Sequence, residues 1–153
     1  MNEPLFRGKR IDNGEWVYGF YFCIHHDDDR EHLHHFIIPL NVSIPKDRPI
    51  GEIQVEVDPD TVGQYVSDLP DKNGKKIFGG DILAVEQISD SIEHFESPVK
   101  CPYNVVVKWD KCSWMWETIG TARKRYLHFP EAWLFRKCEV IGNIHDNLDL
   151  LQN

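Results

Sequence analysis

Five histidines, His25, His26, His32, His34 and His35, crowd one short stretch behind Cys23, with Asp27, Asp28 and Asp29 between them. Imidazole nitrogen and thiolate sulfur are ligand types that hold Zn²⁺ tetrahedrally. If residues 23–26 and 32–35 flank one hairpin, strand alternation puts Cys23 and His25 on one face, where His32 or His34 could complete a set. Cys23, His25, His32 and His34 are therefore the candidate metal ligands. The same residues also suit a polar hairpin tip whose imidazoles and carboxylates face water, so a metal site and a solvated turn stand as alternatives.

A second constellation lies in the C-terminal third: Lys108, Trp109, Lys111, Trp114, Trp116, Arg123, Lys124, Arg125, Tyr126, Phe129 and Arg136. Small barrels that bind single-stranded nucleic acid combine cationic grooves with aromatic faces on which bases stack. Lys108, Trp109, Lys111, Arg123, Lys124, Arg125 and Tyr126 form the candidate nucleic-acid or partner face. Trp114 and Trp116 are two apart on one predicted strand and share a face, which a barrel core also requires.

Carboxylates at Asp58, Asp60, Asp71 and Asp81 lie beside predicted turns, where two-metal hydrolases place acidic ligands. In such positions Asp side chains more simply accept backbone hydrogen bonds of their own turns. The chain has no Ser, His and Asp set, no glycine-rich phosphate loop and no H-E-x-x-H. A non-enzymatic protein is expected, and no cofactor is called for.

The 153 residues are 41% hydrophobic and 12% aromatic, enough apolar surface for a folded core. Their net charge of −8 opposes a general affinity for nucleic acid or acidic membranes. That charge is uneven: residues 98–138 hold eight basic and three acidic residues, a balance of +5, leaving −13 on the rest. Such asymmetry suits self-association or a basic protein partner. No apolar run reaches the roughly 20 residues of a membrane helix, and residues 1–7 hold no apolar stretch behind a basic end, so neither export nor a membrane span is expected. Cys23, Cys101, Cys112 and Cys138 contain no C-x-x-C pair, which favours free thiols in a reducing cytoplasm.

These groups must be positioned by strands. Phe6 to Arg10 and Trp16 to Ile24 flank the turn residues Asp12-Asn13-Gly14, and Phe36 to Leu40 returns past a charged tip as a second hairpin. Pro45, Pro49 and Gly51 break regular structure between Asn41 and Ile53. Asp71 to Gly74 reads as a turn, and Gly79-Gly80 as a sharp corner before a strand at Ile82 to Val85. Glu86 to Ser97 reads as an acidic loop or marginal helix. Val105 to Trp109 and Trp114 to Glu117 predict a hairpin, Ala132 to Phe135 a short strand and Cys138 to Ile144 the last one. Asp146 or Asn147 can cap a closing helical turn.

Phe6-Arg7-Gly8, residues 58–64, Asp71 to Leu83, Val105 to Asp110 and Glu139 to Asn147 occur in an order that resembles the YopX-like proteins of bacteriophages and prophages. The resemblance spans almost the whole chain. Members carry an acidic residue where this chain has Gly79, and a threonine-glycine pair where it has Ser67-Asp68. The resemblance implies a mostly β fold containing an SH3-like barrel, a phage or prophage origin and a cytoplasmic setting, and it brings no catalytic residue.

The expected architecture is thus mostly β with little helix: a single domain over 1–153 with two lobes, N-terminal hairpins over 1–55 and an SH3-like small barrel over 56–153. The expected role is that of a phage or prophage accessory protein that binds a protein partner or itself. A nucleic-acid-binding barrel is the alternative.

Overall fold

The computed structural model describes residues 5–40, 42–43, 46–47, 49–66, 70–86, 103–110, 113–120, 126–128 and 135–152, with 29 and 126–128 described by backbone alone. The chain divides into two compact units, Met1–Tyr65 and Val66–Asn153. This boundary falls later than the expected break near residue 55, because the short strands that follow pair backward onto the N-terminal sheet.

That first sheet is antiparallel and contains β1 (Phe6–Lys9), β2 (Trp16–His26), β3 (Asp29–Pro39), β4 (Val55–Glu56) and β5 (Gly63–Gln64), in the order β4-β3-β2-β1-β5. Gly14, at φ 73°, turns β1 into β2, helped by the Glu15 N–H donating to Asn13 Oδ1 at 2.9 Å. In β2–β3 the register runs from Gly19 opposite Pro39 to Ile24 opposite His34, then shifts so that His26 meets Asp29. Gly19 is required sterically, since a Cβ there would lie 1.9 Å from the Ile38 carbonyl oxygen.

On the inward face of this sheet, Ile37 and Val57 are fully buried. Gly8 lets Val57 approach, as a Cβ at Gly8 would sit 3.1 Å from the Val57 Cβ. Asp58 caps the 3-10 helix Pro59–Thr61 by accepting from the Asp60 N–H at 3.0 Å. Thr61 Oγ1 donates to the Asp58 carbonyl at 2.7 Å and accepts from the Lys9 N–H at 2.8 Å. The segment predicted as a turn is therefore tied to β1.

The second antiparallel sheet contains β6 (Asp81–Val85), β7 (Tyr103–Asp110), β8 (Ser113–Thr118), β9 (Tyr126–His128) and β10 (Cys138–Asn143), in the order β10-β6-β7-β8-β9. Leu83, Val85, Tyr103, Val105, Val107, Trp116, Cys138 and Val140 join Ile77 and Phe135 in its core. Ile82, Val106 and Met115, on the other face, are buried too. Among the described residues neither five-stranded sheet closes into a barrel: the outer strands of each do not pair with one another. The fold is mostly β with little helix, as expected, but as two open sheets.

Asp71 joins the turn before β6 to the last strand. Its Oδ1 accepts from the Asn73 N–H at 2.9 Å and the Lys75 N–H at 2.8 Å, while Oδ2 accepts from the Val140 N–H at 2.9 Å. The Lys72 N–H donates to the Cys138 carbonyl at 3.0 Å, and its ammonium pairs with Glu86 and, at 2.9 Å, Glu139. At the glycine corner, Gly80 takes φ 85° and Asp81 Oδ2 accepts from the Phe78 N–H at 2.8 Å. Gly79 is not among the residues with positive φ, so one of the two glycines makes the corner.

Two local expectations change. Phe135 is helical where a strand was predicted, and residues 132–134 lie outside the described set, as does the acidic stretch beyond Glu86. The closing turn is the 3-10 helix Leu148–Leu151, but the Asn147 side chain does not cap it. It reaches back to accept from the Asn143 N–H at 3.1 Å, across a Gly142 whose Cβ would meet that Asn147 oxygen at 2.5 Å.

Replacing Asp71 by alanine would leave three backbone N–H groups without their acceptor. Asp71→Ala is expected to cost about 3–5 kcal/mol in denaturant unfolding, and Asp71→Asn less, because the amide keeps one accepting oxygen. A loss below about 1 kcal/mol for the alanine variant would show that Asp71 does not hold the turn to β10.

Candidate functional site

Directly opposed residues of antiparallel strands point to the same side of the sheet, so the β2–β3 register decides which histidines can meet. Cys23 opposes His35, whereas His34 opposes Ile24. Cys23 and His34 therefore occupy opposite faces. Two of these imidazoles have local work: His25 Nδ1 donates to the His32 carbonyl at 3.0 Å, and His34 Nδ1 donates to Glu56 Oε1 at 3.0 Å. Tyr21 Oη and His35 Nδ1 share a hydrogen bond of 2.5 Å beside Cys23. The Tyr21 phenol is raised above its ordinary pKa, by burial first and by Cys23 second. Among the described residues no three His, Cys, Asp or Glu side chains come together to hold a metal ion. The set Cys23, His25, His32 and His34 is split by the register instead of gathered by it.

The C-terminal constellation is also divided. Lys108 and Trp109 are consecutive on β7 and face opposite ways. Lys108 lies on the side of Met115 and pairs with Glu117 Oε2 at 2.7 Å. Trp109 is 57% exposed and meets Trp114 edge-on, with ring centroids 5.1 Å apart. Trp116 is buried against Phe135, centroids 5.4 Å apart, and belongs to the core. Lys111, Arg123, Lys124 and Arg125 lie outside the described residues, and of Tyr126 only its backbone place in β9, opposite Glu117, is described.

The carboxylates serve turns. Asp58 and Asp60 stand in the first unit, Asp71 and Asp81 in the second, and Asp58, Asp71 and Asp81 each accept a backbone N–H.

What the β2–β3 register does assemble is an aromatic face, exposed in part and buried at Phe36 and at Arg7 of β1. Trp16, Tyr18, Phe20, Phe22 and Ile24 alternate along β2 onto one side, joined across the strands by Ile38 opposite Phe20 and Phe36 opposite Phe22. Phe22 and Phe36 stack at 5.6 Å between centroids. Tyr18, Phe20 and Ile24 remain 44%, 40% and 38% exposed. At the β1 end of this face the Arg7 guanidinium lies 4.7 Å from the Trp16 ring centroid and the Lys9 ammonium 5.5 Å. The signal was present in the chain as an aromatic at every second position, but it reads equally as an ordinary strand until the pairing and exposure of each position are known.

The segments whose order marks the chain, Asp71 to Leu83 and Glu139 to Asn147, thus hold one another through Asp71, Lys72 and the β6–β10 ladder. A family model described as YopX protein matches residues 5–152. The chain belongs to the YopX family. Among solved structures the chain is similar to a crystal structure of protein EF1440 from Enterococcus faecalis, with 22% identity and a TM-score of 0.56. That likeness covers 99% of this chain and 100% of the other, and at such identity it speaks for the fold alone. The comparison with curated proteins gives no match. No helix among the described residues is long and apolar enough to cross a membrane.

The two described thiols differ sharply. Cys23 is exposed, whereas burial, followed by the Asp71 charge, pushes the Cys138 thiol up to about 12. A thiol pKa raised in the fold means that the native state keeps a proton the unfolded chain gives up. Stability is therefore full below the ordinary thiol range and falls as pH rises from there through about 12. Iodoacetamide at mildly alkaline pH, read by peptide mass spectrometry, is expected to label Cys23 roughly a thousandfold faster than Cys138 in the native protein. Comparable rates would contradict this assignment.

Proposed function

We propose that the protein is a non-enzymatic binding module of phage or prophage type, acting in the cytoplasm. It engages a protein, either a partner or another copy of itself, through the outward face of the first sheet. The observation that carries this reading is the run Tyr18, Phe20 and Ile24, partly exposed on one side of β2 with Phe22 and Phe36 beneath them. Contiguous apolar patches on a folded surface mark interaction sites, and aromatic residues dominate the energetics of such sites. Local satisfaction of the turn carboxylates and of the hairpin histidines favours binding over catalysis. The second unit serves as the scaffold and is read as an opened relative of an SH3-like barrel, its β6-β7-β8-β9 run forming an antiparallel meander.

A second reading is kept by one observation, the exposed Trp109 against Trp114 at the end of the β7–β8 hairpin. A base stacked there would be worth about 1–3 kcal/mol. Salt-sensitive quenching of tryptophan fluorescence by an oligonucleotide, lost in Trp109→Ala, is the result this reading requires. Unchanged fluorescence at low salt removes it.

For the leading reading, tagged wild-type protein and the Phe20→Glu/Ile24→Glu double variant are incubated with host lysate supplemented with untagged copies, and the retained proteins are identified. Wild type is expected to retain a specific protein, foreign or its own copy, that the variant loses. The same bound set on both, with the variant still folded by circular dichroism, would overturn the binding role of this face.

A further inference from the structure

We infer that Cys23, set beside His35 and Tyr21 on the first sheet, is a reactive thiol that exchanges with small soluble disulfides and carries one half of them as a mixed disulfide. The site faces the side opposite Tyr18, Phe20 and Ile24, so it stands apart from the binding reading of that face.

The pairing of β2 with β3 builds it. The Leu40 N–H donates to the Tyr18 carbonyl at 3.1 Å, which makes those two residues a hydrogen-bonded pair of the ladder. Alternation from there makes Gly19 and Pro39, Tyr21 and Ile37, and Cys23 and His35 the non-hydrogen-bonded pairs. Opposed residues of that kind stand about 4.5 Å apart at Cα, the closer of the two spacings. The Cys23 thiol and the His35 imidazole are therefore cross-strand neighbours, and Tyr21, two positions from Cys23, shares their side.

Each neighbour has a defined place. Tyr21 packs between Phe6, with ring centroids 5.3 Å apart, and the His35 ring, 5.9 Å away and stacked at 21°. Its Oη meets His35 Nδ1 at 2.5 Å, and the Cys23 side chain lies within hydrogen-bonding reach of the same phenol. Thiol, phenol and imidazole thus form one chain of exchangeable protons. The thiol end of that chain is exposed, whereas Cys138 is fully buried.

Thiol–disulfide exchange suits these three groups because it asks only for a proton to be taken and given back. Acyl transfer would also need donors aimed at a developing oxyanion. In the exchange, the Cys23 sulfur attacks one sulfur of the disulfide, and the new S–S bond forms as the old one breaks. The thiol proton passes to the Tyr21 oxygen while the phenol proton passes to His35 Nδ1. The reverse relay returns a proton to the departing thiolate, which leaves as a thiol. Cys23 is oxidised, the departing half is reduced, and no further oxidant enters. The raised pKa of the phenol, from burial first and Cys23 second, makes Tyr21 a conduit for the proton and not its source.

The test is the rate at which cystamine forms a mixed disulfide on Cys23 of the full chain at neutral pH, read by peptide mass spectrometry. Cys23 in the native protein is expected to react about tenfold faster than in the urea-unfolded chain. Tyr21→Phe, which keeps the ring against Phe6, and His35→Ala are each expected to lower the native rate to that of the unfolded chain, with unchanged far-UV spectra. Free imidazole at millimolar concentration should restore the His35→Ala rate, which a merely structural place for His35 would not produce. Should His35→Ala not fold, Tyr21→Phe decides alone. A native rate no greater than the unfolded one, a wild-type rate in either variant, or no rescue of folded His35→Ala by imidazole overturns the proposal.

Discussion

One buried carboxylate sets the geometry of the second unit. Asp71 accepts hydrogen bonds from Asn73 and Lys75 within its own turn and from Val140, 69 residues along the chain. A carboxylate can satisfy several donors at once, and charge assistance makes each of those bonds stronger than a neutral one. The turn is thereby attached to β10, the outer strand of its sheet. Val140 points its N–H away from β6 toward Asp71, and the Cys138 carbonyl accepts from Lys72 on that same side. Polar groups on the outer edge of β10 that could otherwise recruit a foreign strand are filled by the turn. With β10 held, Cys138 and Val140 enter the core beside Leu83 and Val85, and the Cys138 thiol is kept away from water and near the Asp71 charge.

Much of this fold was legible, and the reasons are local. Gly14 and Gly74 needed positive φ because turn residues surround them, and both have it. The β-branched run of Val105 to Trp109 correctly predicted a strand, and the Trp114–Trp116 pair correctly pointed to one face, with Trp116 in the core and Trp114 packed against it. What was not legible depends on pairing between distant segments. Ile53, Val55 and Val57 alternate as a strand does, but only Val55 and Glu56 form one, and they join β3 instead of opening a second lobe. The open order of the two sheets likewise depends on which edges meet, information that strand patterns do not contain.

The histidine hairpin shows how little separates one chemistry from another. A shift of one residue in the β2–β3 register would exchange faces for the whole of one strand, bringing His34 to the side of Cys23. The observed register is specified by other residues. Gly19 allows the close approach of Ile38, and Ile37 opposite Tyr21 must enter the core. Once those are placed, Cys23 meets His35, His34 turns to Glu56, and the cluster dissolves into separate local contacts. Packing thus overrides an attractive ligand spacing.

That same choice produces the aromatic face. Gly8 and Gly19 occupy the inward side of the first sheet, where Ile37 and Val57 need room, so most of the large side chains of β2, Tyr21 excepted, lie on the other side. A two-layer domain normally buries its more apolar side. Here one side holds Gly8, Gly19, Tyr21 and the fully buried Ile37 and Val57, and the other carries Trp16, Tyr18, Phe20 and Phe22 with Ile38 and the buried Phe36 opposite. A sheet needs only one buried face to fold, and an aromatic residue left about 40% exposed forfeits a corresponding share of the stabilisation its burial would bring. Tyr18, Phe20 and Ile24, exposed on one side of a single strand, are poorly accounted for by the stability of the isolated unit. They make physical sense if that face is covered when the protein works, which is why function is sought on the first sheet and not among the carboxylates of the turns.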